Sequence, residues 1–412
     1  MTARGNFFAV DRRAWAALCG LGSMNAAVAY LVLARGTLSD MRTTAWSVKT
    51  IETHTGVPRH LAQAAIRRLV AEGLVRQTRG GTKPLYYLVA AHDLPGPTPA
   101  RITATEAELV RIIEDAGRST FVPKTAKMDS DWPVTTPYEL ACGLVRKGHL
   151  TNDGRQFFGL ALAPQPMSEE PDWIWLPASI VTGAADERPP VELLRQAQDQ
   201  TALRLFVDLY HAQSLPRASG VHWRTVRLNY TKEAIGTYGA HTVWGFSRAR
   251  SEAWPNCPLV KPFLDQSSEQ PAQRFFDALA FLIRLGLVAY TPHLIEADTD
   301  EAAVLFPVGG AMAVREERAL GDAAHTAGLA MITDWQEKLA DGSYEHLFPL
   351  LPHQGNAVMV GLLRLRYQAD TAANAEWGER RSQWAEEARK FEELAEKAQS
   401  SQRFATSTQY PI

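Results

Sequence analysis

One short pattern occurs three times in this chain and limits what it can fold into. It consists of an apolar-faced helix, a glycine two or three residues past the last core residue, and a strand that starts on apolar residues. It reads LVAEGLV at 69–75, LVRKGHL at 144–150 and LIRLGLV at 282–288, with Gly73, Gly148 and Gly286 at the same place. Glycine suits the position after a helix, where the chain turns through the left-handed region that side chains enter at a cost. Each copy runs into a segment that fits a hairpin: LVRQTRGGTKPLYYLV turning at Gly80 and Gly81, HLTNDGRQFFGLAL turning at Asn152, Asp153 and Gly154, and LVAYTPHLIEADTDEAAVLFPV turning around 298–301. A single copy is common to many helix-to-strand turns. Three copies, each preceded by a helix, predict three related units in an α+β chain.

Proline-rich or polar seams at 90–100, 163–172 and 183–190 separate these units. They predict an N-terminal domain over 1–92, a second unit over 100–182, a third over 190–312, and an α-rich region over 313–412 that ends in a charged amphipathic helix. In that helix Trp377, Trp384 and Phe391 recur every seven residues, with Ala388 and Ala395 between and Arg381 in the seam. The stripe fits either the pairing of two chains or docking on the chain's own body.

The net charge of −2 hides opposed segments. Residues 1–95 carry 12 Lys and Arg against 5 Asp and Glu, and 191–292 carry 11 against 8, whereas 293–370 carry 5 against 12. A polyanion would therefore be drawn to the N-terminal segment. The three cysteines, Cys19, Cys142 and Cys257, are far apart and not spaced as metal ligands. The apolar run AAVAYLVLA at 26–34 is too short to cross a bilayer, and the charged DRR at 11–13 breaks any signal-peptide core. The expected location is cytoplasmic, without a membrane partner.

In the first unit, Ser47 is placed to cap a short helix ending near Thr55. Gly56 makes a tight turn, Val57 enters the core and Pro58 starts the next helix. There Ala62, Ala65, Ile66 and Leu69 form one apolar stripe, bedded on Val28, Leu31 and Val32 of an upstream helix. The other face carries Arg59, His60, Gln63, Arg67 and, at its edge, Arg68. Long forked donors of this kind read major-groove edges, Arg toward guanine and Gln toward adenine. The hairpin that follows offers Arg76, Arg79 and Lys83 around a flexible tip, suited to phosphates or the minor groove.

Residues 23–89 thus resemble the winged helix-turn-helix DNA-binding superfamily of bacterial transcription regulators and plasmid or phage replication initiators. The resemblance covers about a sixth of the chain. It implies a helix in the major groove, a wing on the backbone and double-stranded DNA as partner. The turn departs in one place: Glu52 stands four residues before Gly56, where the superfamily usually has a small residue.

A second basic stretch, 221–254, interleaves Arg224, Arg227, Lys232, Arg248 and Arg250 with Trp223, Tyr230, Trp244 and Phe246. It fits either a nucleic-acid surface or an aromatic strand pair with its charges outward. The third unit's helix, PAQRFFDALAFLIRLG, is apolar nearly all round and reads as packed, and DWIWLPASIV at 172–181 reads as a buried strand. No GxxxxGK[ST] loop, His-x-His pair, HExxH, GxSxG or paired-cysteine zinc pattern occurs. The acidic residues Glu296, Asp298, Asp300 and Glu301 lack the Gly and closing Glu of a calcium loop and read as a hairpin tip.

The sequence therefore predicts tandem winged-helix units with a C-terminal charged helix. No catalytic residue, metal or cofactor is assigned. The expected function is sequence-specific binding of duplex DNA, as a transcriptional regulator or as a replication initiator of a plasmid, phage or integrated element. Self-association as a homodimer would run through the C-terminal helix or the third unit. The alternative is a winged-helix adaptor that binds proteins within a chromosome-organising or defence complex.

Overall fold

The structure is a computed structural model of the 412-residue chain. It describes residues 6–94, 109–111, 140–141, 144, 150–152, 158–160, 170–184, 187–265, 267–333, 336, 342–368 and 372–407. The fold is mixed α and β, and it divides into two compact units, Met1–Leu88 with Asp172–Ile412, and Val89–Pro171.

The larger unit opens with strand β1 (Phe7–Asp11) and helix α1 (Arg12–Gly20), followed by α2 (Met24–Arg35), which is buried from Ala26 to Ala34. Next come β2 (Thr43–Thr44), α3 (Val48–Thr55), α4 (Arg59–Ala71), β3 (Val75–Arg79) and β4 (Leu85–Leu88). α4 buries Ala62, Ala65, Ile66 and Leu69, the stripe expected from their spacing, and packs on α2 and α3. β4 lies between its neighbours in a three-stranded sheet: Thr43 pairs with Tyr87, and Val75 pairs with Leu88.

In the smaller unit the described strands are β5 (Leu150–Asn152) and β6 (Phe158–Leu160), paired antiparallel with Leu150 opposite Leu160. Their turn, with Asp153 and Gly154, lies outside the described residues, as do Gly148 and Cys142.

The chain re-enters the larger unit through β7 (Trp173–Pro177), which pairs with β1 across the intervening sequence. The expectation of a buried strand at 172–181 needs correcting. Ile174 and Leu176 fill the core, but Trp175 is 44% exposed, with Phe7 packed edge-on at 5.4 Å. Successive residues of β7 point to opposite faces, which turns Trp175 outward, whereas β1 is buried from Phe8 to Asp11.

There follow α5 (Ser179–Thr182), α6 (Pro190–Ala197), α7 (Gln200–His211), β8 (Gln213–Ser214), α8 (Leu215–Ala218) and β9 (Gly220–Val221). α6 and α7 are separate helices because Gln198 turns left-handed (φ 56°) and Asp199 caps a new helix through Ala202 N.

The rest builds one antiparallel six-stranded sheet from β10 (Val226–Tyr238), β11 (His241–Ala253), β12 (Val288–Ile295), β13 (Val304–Pro307), β14 (His346–Leu350) and β15 (Val358–Leu365). Its order is β13-β12-β15-β10-β11-β14. α9 (Gln273–Arg284) leads into β12 through Gly286 at φ 66°, and Gly73 after α4 has φ 72°. The glycine reading was right in both places, but β12 and β13 do not stand as a separate hairpin: β12 is hydrogen-bonded to β15 along its whole length. Strand pairing beyond residue 340 draws the third predicted unit and the C-terminal region into one sheet.

α10 (Arg315–Met331) lies on this sheet with α12 (Arg381–Ser407), which α11 (Ala372–Glu379) precedes. Trp377, Trp384, Ala388, Phe391 and Ala395 are buried within this core, and the Phe391 ring sits edge-on to Phe348 at 5.3 Å. The stripe is therefore covered by the chain's own body, the second of the two arrangements its spacing allows. The break at Arg380 leaves Arg381 exposed and out of it.

A charged group is sealed into this layer. Arg364 donates to both oxygens of Glu317, and its Nη2 donates to His293 Nε2 at 2.7 Å. The Trp377 indole also donates to Glu317 at 3.0 Å. His293 Nδ1 stands 2.8 Å from the Thr291 carbonyl, which only a protonated Nδ1 can satisfy. Burial, followed by the charge of Arg364, pushes the His293 imidazole down to about 3. Burial alone would raise Glu317, but Arg364 holds its carboxyl below the usual range.

Candidate nucleic-acid interface

The geometry of α4 is set by the turn before it. Gly56 has φ 63° and ψ 15°, left-handed, and its N–H donates to Glu52 O at 2.9 Å. The Thr55 hydroxyl donates to Ile51 O and accepts from Val57 N, closing the turn. α3 turns Ile51 and Thr55 inward, whereas Glu52 is exposed, so its size does not obstruct the helix crossing. α6 braces the turn from outside: the Arg195 guanidinium donates to the Thr55 carbonyl. Sequence reasoning missed this residue, since nothing local links positions 55 and 195.

With its inner face fixed, α4 presents His60, Gln63, Ala64 and Arg67 to solvent, with Arg59 at its first turn. The hairpin places Arg76, Arg79 and Lys83 outward as well, and Gly81 at φ 82° forms its tip. All eight predicted side chains are exposed. Two are tied down: Arg68 donates to Leu21 O at 2.7 Å, and Arg79 Nε donates to Lys83 O at 2.8 Å, which stiffens the tip. Among the described residues, Arg59, His60, Gln63, Arg67, Arg76 and Lys83 make no side-chain hydrogen bond or ion pair. Between 57 and 88 six Lys and Arg face a single acid, Glu72.

The other basic stretch has the opposite character. Arg224 pairs with Asp300 at 2.8 Å, and Arg227 with Asp298 through two hydrogen bonds. Lys232 donates to the Gly355 and Ala357 carbonyls, Arg248 pairs with Glu345 and Arg250 with Glu252. Trp223 and Phe246 are fully buried, while Tyr230 and Trp244 pack partly buried against the core. This is an aromatic strand pair whose cations are answered from within. The acidic tip residues Asp298 and Asp300 serve those arginines, and among the described residues no group of three or more His, Cys, Asp or Glu is placed to hold a metal ion.

Comparison with known proteins finds no match: no family model fits the chain, and neither a curated protein nor a solved structure matches it. No helix among the described residues is long and apolar enough to cross a membrane.

Proposed function

We propose that residues 24–88 form a winged helix that binds duplex DNA, with α4 in the major groove and the β3–β4 hairpin along the backbone. One observation carries this reading: among the described residues, six exposed donors on a single helix and hairpin have no partner, while the cations of the 224–250 stretch have theirs. Unpaired guanidinium and amide groups on a helix braced from behind match what base edges and phosphates require. The order helix, strand, helix, turn, helix, hairpin, with the first strand beside the last, adds support from topology.

The reading extends to a sequence-specific, non-catalytic protein, a transcriptional regulator or a replication initiator of a plasmid, phage or integrated element. The remaining units would supply partner contacts, and any pairing of two chains would use the six-stranded body. Selection of bound duplexes from a random pool tests the proposal. Enrichment of a defined motif supports it, and its sites at promoters or at iterated origin repeats separate the two roles. Recovery of no enriched sequence, with no affinity for the pool, would favour the adaptor alternative.

A further inference from the structure

α4 is held at both ends by groups that lie outside residues 24–88. At its start, the Arg195 guanidinium of α6 donates from Nε to the Thr55 carbonyl. That carbonyl closes α3, where backbone acceptors have no partner within the helix. Toward the other end of α4, Arg68 donates to the Leu21 carbonyl at 2.7 Å, one residue beyond α1.

Each brace is itself fixed. α6 buries Val191 and Leu194 and packs on α2 and α3, and Gln198 at its end donates to the Arg195 carbonyl at 2.6 Å. Gly56 leaves room for the guanidinium, since a Cβ there would stand 3.3 Å from Arg195 Nη2. Leu21 follows a helix anchored by Ala14, Trp15 and Leu18, and Gln200 of α7 donates to the Cys19 carbonyl in its last turn at 3.1 Å. Both braces therefore lead back to the short stretch 195–200 where α6 gives way to α7.

Forked donors discriminate between bases only when the helix that carries them is held to within about 0.5 Å, by supporting contacts and not by the reading side chains themselves. We propose that Arg195 and Arg68 are positioning residues for base reading, which touch no DNA and set the pose of α4. The DNA-reading unit is then discontinuous: residues 24–88 are completed by the end of α1 and by 195–200. This assignment rests on the DNA-binding reading, and it takes Arg68 out of the set of side chains that meet the duplex.

The test uses the full chain carrying Arg195→Ala, Arg195→Lys or Arg68→Ala, each with an unaltered circular dichroism spectrum, on the selected duplex and a scrambled one across a salt series. Each alanine variant should lose about tenfold of its affinity for the selected duplex, the scale of one misplaced base contact, and keep both its affinity for the scrambled duplex and its salt slope. Arg195→Lys, which can still donate to Thr55, should recover most of the loss. A guanidinium on a phosphate behaves otherwise: its removal weakens both duplexes alike and lowers the slope by about one. That result in either alanine variant, or an unchanged ratio of the two affinities, overturns the assignment for that residue. Amide hydrogen exchange of the free chain requires no duplex. Leu61 and Ala62, whose N–H groups donate to the Pro58 carbonyl in the first turn of α4, should exchange severalfold faster in Arg195→Ala. Unchanged exchange overturns the brace. Faster exchange in a chain that binds neither duplex leaves the brace standing and defeats the DNA reading alone.

Discussion

Individual side chains carry the account of α4. Arg67 lies exposed on the outer face with no partner among the described residues, and Arg79 is stiffened at the hairpin tip by the Lys83 carbonyl. Arg67→Ala should cost about 1 to 3 kcal/mol of affinity and relax base preference, while Arg79→Ala should weaken all sequences alike and lower the salt slope by about one. Titrations against matched and scrambled duplexes separate the two. A different cost attaches to Gly56, whose φ of 63° is unfavourable for any side chain and whose missing Cβ would meet Arg195 at 3.3 Å. Gly56→Ala should destabilise the chain by about 1 to 2 kcal/mol in urea unfolding. An unchanged midpoint would mean the turn can relax without loss.

At the scale of elements, local patterning was legible and long-range pairing was not. Helical spacing gave the inner stripe of α4, and the glycines marked the ends of α4 and α9. The heptad spacing of Trp377, Trp384 and Phe391 gave an apolar stripe but could not name its partner, because docking on α10 and pairing with a second chain have the same local signature. The alternation in Trp173–Pro177 was visible, yet which face is buried depends on β1, more than 160 residues away. Pairing of β12 with β15 and the contact of Arg195 with Thr55 have no local signal at all. Phe391 packs against Phe306 and Phe348, so Phe391→Ala should cost about 3 to 5 kcal/mol in urea unfolding without altering oligomeric state in light scattering. Dissociation of an oligomer in that variant would assign the stripe to a second chain.

For the whole molecule, the sealed group of Arg364, Glu317 and His293 ties stability to pH. The His293 imidazole has its ordinary value of 6.5 when unfolded and about 3 when folded, so below 6.5 the unfolded chain takes up a proton that the folded chain refuses. Its contribution is complete above 6.5 and is lost as pH falls toward 3. His346, pushed down to about 4 by burial, and the lowered carboxyl of Glu317 act in the same direction. Unfolding free energy should decline by up to about 1.4 kcal/mol per pH unit for each such group. His293→Gln should show a shallower decline; an equal slope would mean that position 293 titrates normally. The measurement closest to the central claim is equilibrium binding of the full chain to its selected duplex across a series of salt concentrations. With Arg76, Arg79 and Lys83 on phosphates, the logarithm of affinity should fall against that of salt with a slope of about −3 or steeper, and Arg76→Ala with Lys83→Ala should flatten it. No measurable affinity, or an affinity indifferent to salt and to those substitutions, would contradict the assignment of α4 and its hairpin to DNA.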